Sequence, residues 1–170
     1  MLSVSSRPGR PNPDPEIIAI ACDHAGYGLK QEILKLLREL KLPVTDLGCA
    51  GSEESVHYPF YGKKVVDAVL AQPNSKGILI CGTGLGMSIL ANRFPGIRAA
   101  LCHDLFSAIM SRRHNNANVL VMGGRIIGPD LAKEIVRVWL STPFDGGRHQ
   151  ERLELLEKLA QETPLKAGTA

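Results

Sequence analysis

Five short apolar runs, each followed by a stretch with apolar residues at helical spacing, decide most of what this chain can become. Residues 17–22 (IIAIAC) read as a buried strand, and 29–40 as a helix with Leu29, Ile33, Leu36, Leu37 and Leu40 on one face. Residues 44–47 form a short second strand, followed by a Gly-, Ser- and Glu-rich loop over 48–55. Pro59 suits the first turn of a helix running to Ala71. Residues 77–81 (GILIC) make a third strand, and a glycine-rich turn leads into a helix over 87–93. A fourth strand covers 97–102, and Asp104 is placed to cap a helix that ends near Arg113. The fifth strand is 119–122. Two further helices, 129–140 and 147–159, complete the pattern, the last apolar through Leu153, Leu156 and Leu159.

Strands that are apolar throughout must be covered on both faces, and strands that alternate with helices pair in parallel through right-handed crossovers. The expected fold is α/β: a single Rossmann-like three-layer sandwich around a five-stranded parallel sheet. A length of 170 residues with 44% hydrophobic content suits one domain, and no repeat or low-complexity linker divides it. Residues 1–15 read as a disordered N-terminal extension, 16–162 as the folded domain and 163–170 as a flexible tail.

The formal charge of +3 is mild and its Lys and Arg residues are scattered, so nucleic acid is not an expected partner. No run approaches the roughly 18–20 apolar residues that span a bilayer, so no membrane is expected either. Residues 1–15 lack the apolar core of a secretory signal. Cys22, Cys49, Cys81 and Cys102 have long spacings and no CxxC pair, which points to reduced thiols in the cytoplasm. No Cys or His residues are paired closely enough in sequence to hold zinc, so no metal and no other cofactor is expected.

In open parallel sheets, ligands bind outside the carboxyl ends of the strands. Those ends carry Cys22-Asp23-His24, Cys81-Gly82-Thr83-Gly84, His103-Asp104 and Gly123-Gly124-Arg125, so polar and titratable groups collect along one edge. Glycines at 82, 84 and 86 let backbone N–H groups converge as an anion-binding nest at a helix start. A free cysteine is by default a small buried hydrophobe. Only Cys81, beside that nest, is placed to act as a base. A nucleotide loop or a plain strand–helix turn fits the glycine spacing equally well. The dinucleotide fingerprint fails, because Met87 and Gln31 stand where its third glycine is needed, and Walker A fails for want of Gly-Lys-Ser/Thr. Arg148 and Arg152, at i and i+4, suit a phosphate, or else a solvated face balanced by Glu151 and Glu154. His114 after Arg112-Arg113 is placed as a C-terminal dipole partner or cap.

Five stretches taken together resemble a known family: CDHAG (22–26), HYPFY (57–61), GILICGTGLGMSILANRFPGIRAA (77–100), RRHNNANVLVMGGRIIG (112–128) and FDGGRHQER (144–152). They are similar to ribose-5-phosphate isomerase B and its hexose-6-phosphate relatives, in family order from about Ile17 to Leu159. The resemblance implies an aldose–ketose isomerase acting on ribose 5-phosphate without a cofactor. It implies that Cys81 moves a proton between C1 and C2, and that His114 assists ring opening as proton donor. Gly82, Thr83, Gly84, Leu85 and Gly86 would offer N–H groups to an enediolate, with Thr83 counted among the catalytic residues. Asp23 and His24 would contact sugar or phosphate, Tyr58 and Asn115 would line the pocket, and Arg125, Arg148 and Arg152 would bind phosphate. One position departs from the family: His57 stands where members commonly carry Asp, which leaves sugar preference open between pentose and hexose phosphates. A non-catalytic sugar-phosphate binder is the rival from another class, but it would have no use for a placed thiol.

Cys81 follows the third strand, whereas His114 precedes the fifth. A five-residue strand spans roughly 17 Å, so the two are expected at opposite edges of their own sheet. If both serve one sugar, the protein is a homodimer, or a tetramer of such dimers, with sites shared between subunits.

Overall fold

Every residue of β1 (Ile18–Cys22) is buried, and its pleat sends Ile18, Ile20 and Cys22 to one side of the sheet and Ala19 and Ala21 to the other. β3 (Lys76–Cys81) and β5 (Val119–Gly123) repeat this. Ile78, Ile80, Leu120 and Met122 join the first side; Leu79, Cys81, Val119 and Val121 join the second. The first side is closed by α1 (Tyr27–Glu39), α4 (Leu105–Arg113) and α5 (Pro129–Ser141), with Trp139 fully buried. The second is closed by α2 (Tyr58–Ala71) and α3 (Leu85–Ala91). Each fully buried Leu, Ile or Val contributes about 1.5–3 kcal/mol, which makes these two cores the main support of the site.

β2 (Val44–Asp46) and β4 (Ala99–Leu101) are the edge strands of a parallel sheet ordered β2-β1-β3-β5-β4, and α6 (Arg148–Glu162) is the last of the described elements. The computed structural model describes residues 17–162; the expected extension over 1–15 and tail over 163–170 lie outside the described residues. Fold class, strand count and parallel pairing are as expected from the sequence.

Element ends differ from expectation for local reasons. α1 begins two residues early because a turn of 3-10 helix, His24–Gly26, delivers the chain to it. Its Lys30 is buried at 1% exposure, and the ammonium reaches Asp46 at 2.7 and 2.9 Å and the Cys49 carbonyl at 2.8 Å. Asp46 is thus the counter-ion of a buried lysine. β4 is shorter than 97–102: the Ile97 N–H closes a turn on Phe94, and the N–H groups of Arg98 and Ala99 go to the side chains of Asn118 and Asn92. α3 starts at Leu85, two residues early, because Gly84 enters the left-handed region at φ +80° and makes the turn in fewer residues. α6 continues three residues beyond its expected end at Leu159. Asp104 caps α4 as expected, accepting from the Ser107 N–H at 2.8 Å, and that bond holds its carboxyl below the ordinary carboxylate range. No helix among the described residues is long and apolar enough to cross a membrane.

Candidate active site

The ends of β1, β3 and β5 lie side by side, because Cys22 pairs with Ile80 and Cys81 with Gly123. This brings six of the expected site features to one edge. Asp23, 7% exposed, accepts from the Gly26 N–H at 3.0 Å and so pins the first turn after β1. His24 accepts the Val56 N–H on Nδ1 at 3.2 Å, which leaves its proton on Nε2. The turn after β5 is tied to the one after β3 by the Gly124 N–H on the Cys81 carbonyl (2.8 Å) and the Arg125 N–H on the Gly82 carbonyl (3.0 Å). Arg125 therefore lies against Gly82, with Cδ and Nη1 at 3.7 Å from where a Cβ would sit. The Tyr58 ring lies over Gly86, 2.8 Å from the place of a Cβ, so glycine there is what admits the ring.

Cys81 is the centre of this edge. The residue is 5% exposed, and Sγ receives the N–H of Gly84 at 3.1 Å, which fixes the sulfur's direction at the head of the nest. Thr83 Oγ1 faces the Leu85 N–H at 3.4 Å. Gly84 N–H is thus engaged with the sulfur rather than directed outward, a difference from the expectation that the whole run 82–86 presents its N–H groups to a ligand. The other cysteines are poor candidates for a base. Burial pushes the Cys22 thiol up to about 12 and raises that of Cys102, and Cys49 donates to the Gly51 carbonyl at 3.1 Å. All four are free thiols. His103 was legible as a strand end but has a role the sequence did not give. Its Nε2 accepts the Gly123 N–H at 3.0 Å and so holds the register partner of Cys81.

The remaining expected residues gather at the opposite edge. The Asn118 carbonyl accepts from Gly77 at the start of β3, and Arg98, just before β4, donates through Nε to the carbonyls of Asn115 and Asn116 at 3.1 Å each. His114 caps the end of α4 as expected, its N–H bonding the Met110 carbonyl. Its ring stacks on that of His149, with centroids 4.1 Å apart and planes 7° apart, which brings the start of α6 and Arg148 to this edge. Arg152 lies one turn further along α6. Asp145 sits beside the stack, held by Arg113 through bonds of 3.0 to 3.2 Å that lower its carboxyl. His114, Asn115, Arg148 and Arg152 are therefore separated from Cys81 by the length of β3, on the order of 15 Å.

His114, Asp145 and His149 bring three possible metal ligands within 4.8 Å of one another, which spacing in the sequence did not reveal. An imidazole lone pair lies in the plane of its ring, and a metal–nitrogen bond is about 2.0–2.1 Å. Two nearly parallel rings 4.1 Å apart cannot both aim at one ion in this arrangement.

The chain matches the Ribose/Galactose Isomerase family over residues 18–156. It is 48% identical over 144 residues to ribose-5-phosphate isomerase B of Escherichia coli, covering 85% of this chain and 96% of that protein. It is 44% identical over 137 residues to D-erythrulose-4-phosphate isomerase of Pectobacterium atrosepticum, covering 81% of this chain and 90% of that one. The solved ribose-5-phosphate isomerase B of Clostridium thermocellum is 48% identical and superposes with a TM-score of 0.83, covering 86% of this chain and 98% of that one. Likeness that runs from β1 into α6, in sequence and in space, means that this chain belongs to the ribose/galactose isomerase family, as a sugar-phosphate isomerase of the ribose-5-phosphate isomerase B type.

Proposed function

We propose that the protein interconverts ribose 5-phosphate and ribulose 5-phosphate through an enediolate, with Cys81 as the base. The observation that carries this reading is the sulfur at the end of β3, oriented by the Gly84 N–H at the mouth of the glycine nest. Cys81 takes the proton from C2 of the open-chain aldose and returns it to C1, while the hydroxyl proton of O2 passes to O1. The charge that develops meanwhile falls on the sugar oxygens. Backbone N–H groups of the nest, fixed before reaction, stabilise that charge without reorganising; one such donor is typically worth about 3–4 kcal/mol. Asp23, His24 and Tyr58 contact the sugar from the same edge, and Arg125 binds phosphate there. No step calls for a metal or a redox cofactor.

Ring opening and the rest of phosphate binding fall to His114, Asn115, Arg148 and Arg152, which one chain cannot bring to its own Cys81. We assign them to a neighbouring subunit, so that a two-fold dimer makes two mixed sites. Large apolar side chains stand exposed on elements bordering the Cys81 edge, among them Phe60 (70%), Ile89 (62%) and Phe106 (73%). Such surface is what a second copy would cover. Four unbridged thiols fit a reducing compartment, the cytoplasm.

His57 supports keeping a second substrate in view. It caps α2 beside Tyr58 without a side-chain capping bond and sets its ring edge-on to Phe60, centroids 6.3 Å apart. The test is a coupled assay offering ribose 5-phosphate, allose 6-phosphate, galactose 6-phosphate and erythrulose 4-phosphate to wild type and Cys81→Ala. Ribose 5-phosphate should give the highest kcat/KM, and Cys81→Ala should lose roughly 10²–10⁴-fold in turnover. Turnover within a few-fold of wild type in that variant would assign the base elsewhere.

A further inference from the structure

His149 is the one imidazole in the FDGGRHQER stretch, and the reading above gives it no work. It is 7% exposed at the second position of α6, and the chain reaches it through Gly146 and Gly147, both at positive φ. The Asp145 N–H bonds the Arg113 carbonyl at 3.0 Å, so the loop is stitched to the end of α4 just where His114 stands. The two imidazoles then lie face to face at 4.1 Å and 7°.

We propose that His149 is a positioning residue for His114: its ring is the flat support that holds the His114 imidazole in one orientation for proton transfer. This rests on the assignment of His114 to ring opening. A half-buried imidazole at the end of a helix keeps a broad χ2 range, and a proton donor must be aimed. The stack removes that freedom on one face, and Asp145, anchored by Arg113, borders the pair.

The charges around the pair act on the protonation of His149. Facing His149 are His114 and, through it, Arg113 from α4; Arg148 and Arg152 from α6; and Asp145 from the loop between α5 and α6. Burial, then His114, Arg148 and Arg152, lower the affinity of His149 for a proton, and only Asp145 opposes them. Two stacked imidazolium rings would repel, so His114 and these arginines together disfavour a proton on His149. A fixed cation in place of His149 would repel positive charge on the ring stacked against it; a neutral flat ring would not.

Three variants of the full chain separate support from mere packing. His149→Ala removes the ring, His149→Phe keeps a neutral ring, and His149→Arg supplies a plane that is always charged. With ribose 5-phosphate, His149→Ala should lose about tenfold in kcat with KM within about threefold, and His149→Phe should recover most of that loss. His149→Arg should move the NMR titration midpoint of His114 to lower pH by about one unit, and the limb of the pH–rate profile abolished by His114→Gln should move with it. Thermal melting and the inhibition constant of inorganic phosphate, read on each variant, report whether α6 and its arginines stay in place. An Ala variant with wild-type kcat overturns the proposal. So does a His114 midpoint that stays put in His149→Arg, or an equal loss in Ala and Phe with a raised phosphate constant. The NMR midpoint is read without substrate. A wild-type protein inert toward ribose 5-phosphate would thus sink the proposed reaction, while the coupling of the two rings stands or falls by itself.

Discussion

Gly84→Ala puts the largest burden on the smallest change. Gly84 sits at φ +80°, where an L-residue with a side chain pays about 1–2 kcal/mol. Its new methyl would stand 2.4 Å from Leu101 Cδ1 and 3.1–3.2 Å from the backbone carbon and oxygen of Met122. Leu101 can swing aside, but the Met122 backbone is held in β5, so overpacking adds about 1–3 kcal/mol. The total, about 2–5 kcal/mol, should lower Tm by roughly 5–15 °C in a chain of this size. The same shift pulls the Gly84 N–H off Cys81 Sγ, so kcat should fall at least about tenfold even where the protein is folded. Gly82→Ala is the folding control. Its methyl would meet nothing closer than 3.6 Å, and Tm should stay within about 1–2 °C of wild type. Circular dichroism melts and a coupled isomerase assay at 25 °C measure both effects. If Gly84→Ala melts and turns over like wild type, or Gly82→Ala melts as early, the turn does not orient the sulfur in this way.

Arg152→Ala should raise the constant for competitive inhibition by inorganic phosphate about tenfold or more, as expected for one lost charge-assisted contact; an unchanged constant would return Arg148 and Arg152 to the solvated-face reading. Exhaustive EDTA dialysis should leave activity intact, because the His114–His149 stack cannot present two lone pairs to one ion; loss restored by a divalent ion would show that the rings reorient to bind it. Stability should fall as pH drops from 7 toward 5. The folded protein resists protonating His149 while the unfolded chain protonates it near 6.5, so the unfolded state binds more protons in that window. In His149→Phe that part of the pH dependence of Tm should vanish; a slope equal to wild type would assign it to other groups.

The buried strands and their helices were legible because a parallel sheet covered on both faces writes itself as unbroken apolar runs, as in IAIAC and GILIC. Short edge strands were less so. β4 looked six residues long because Ile97 and Cys102 are apolar, but side chains of Asn92 and Asn118 take the N–H groups of Ala99 and Arg98. Helix starts failed at α1 and α3, where a 3-10 turn and a left-handed glycine save residues that a pattern of apolar spacings does not register. Lys30 lies next to Leu29 on a face the periodicity marked as apolar, yet its burial depends on Asp46 at the end of β2 and on the Cys49 carbonyl in the loop that follows, both distant in sequence. At the site, the residues clustered by strand ends, namely Cys81, Asp23, His24 and Arg125, were placed together by topology alone. His149 and Asp145 escaped notice because their partner, His114, is contributed by a different helix across a loop, and no spacing rule records such a meeting.

The central claim is that one working site needs the Cys81 edge of one chain and the His114 edge of another. The direct measurement mixes unfolded Cys81→Ala and His114→Ala proteins, each inactive alone, and refolds them together. Random pairing puts about half the dimers in the mixed class, each with one intact site, so about a quarter of wild-type activity should return. If mixed dimers form and the mixture stays as inactive as its parents, both residues serve a site within one chain, and the two-edge assignment is wrong.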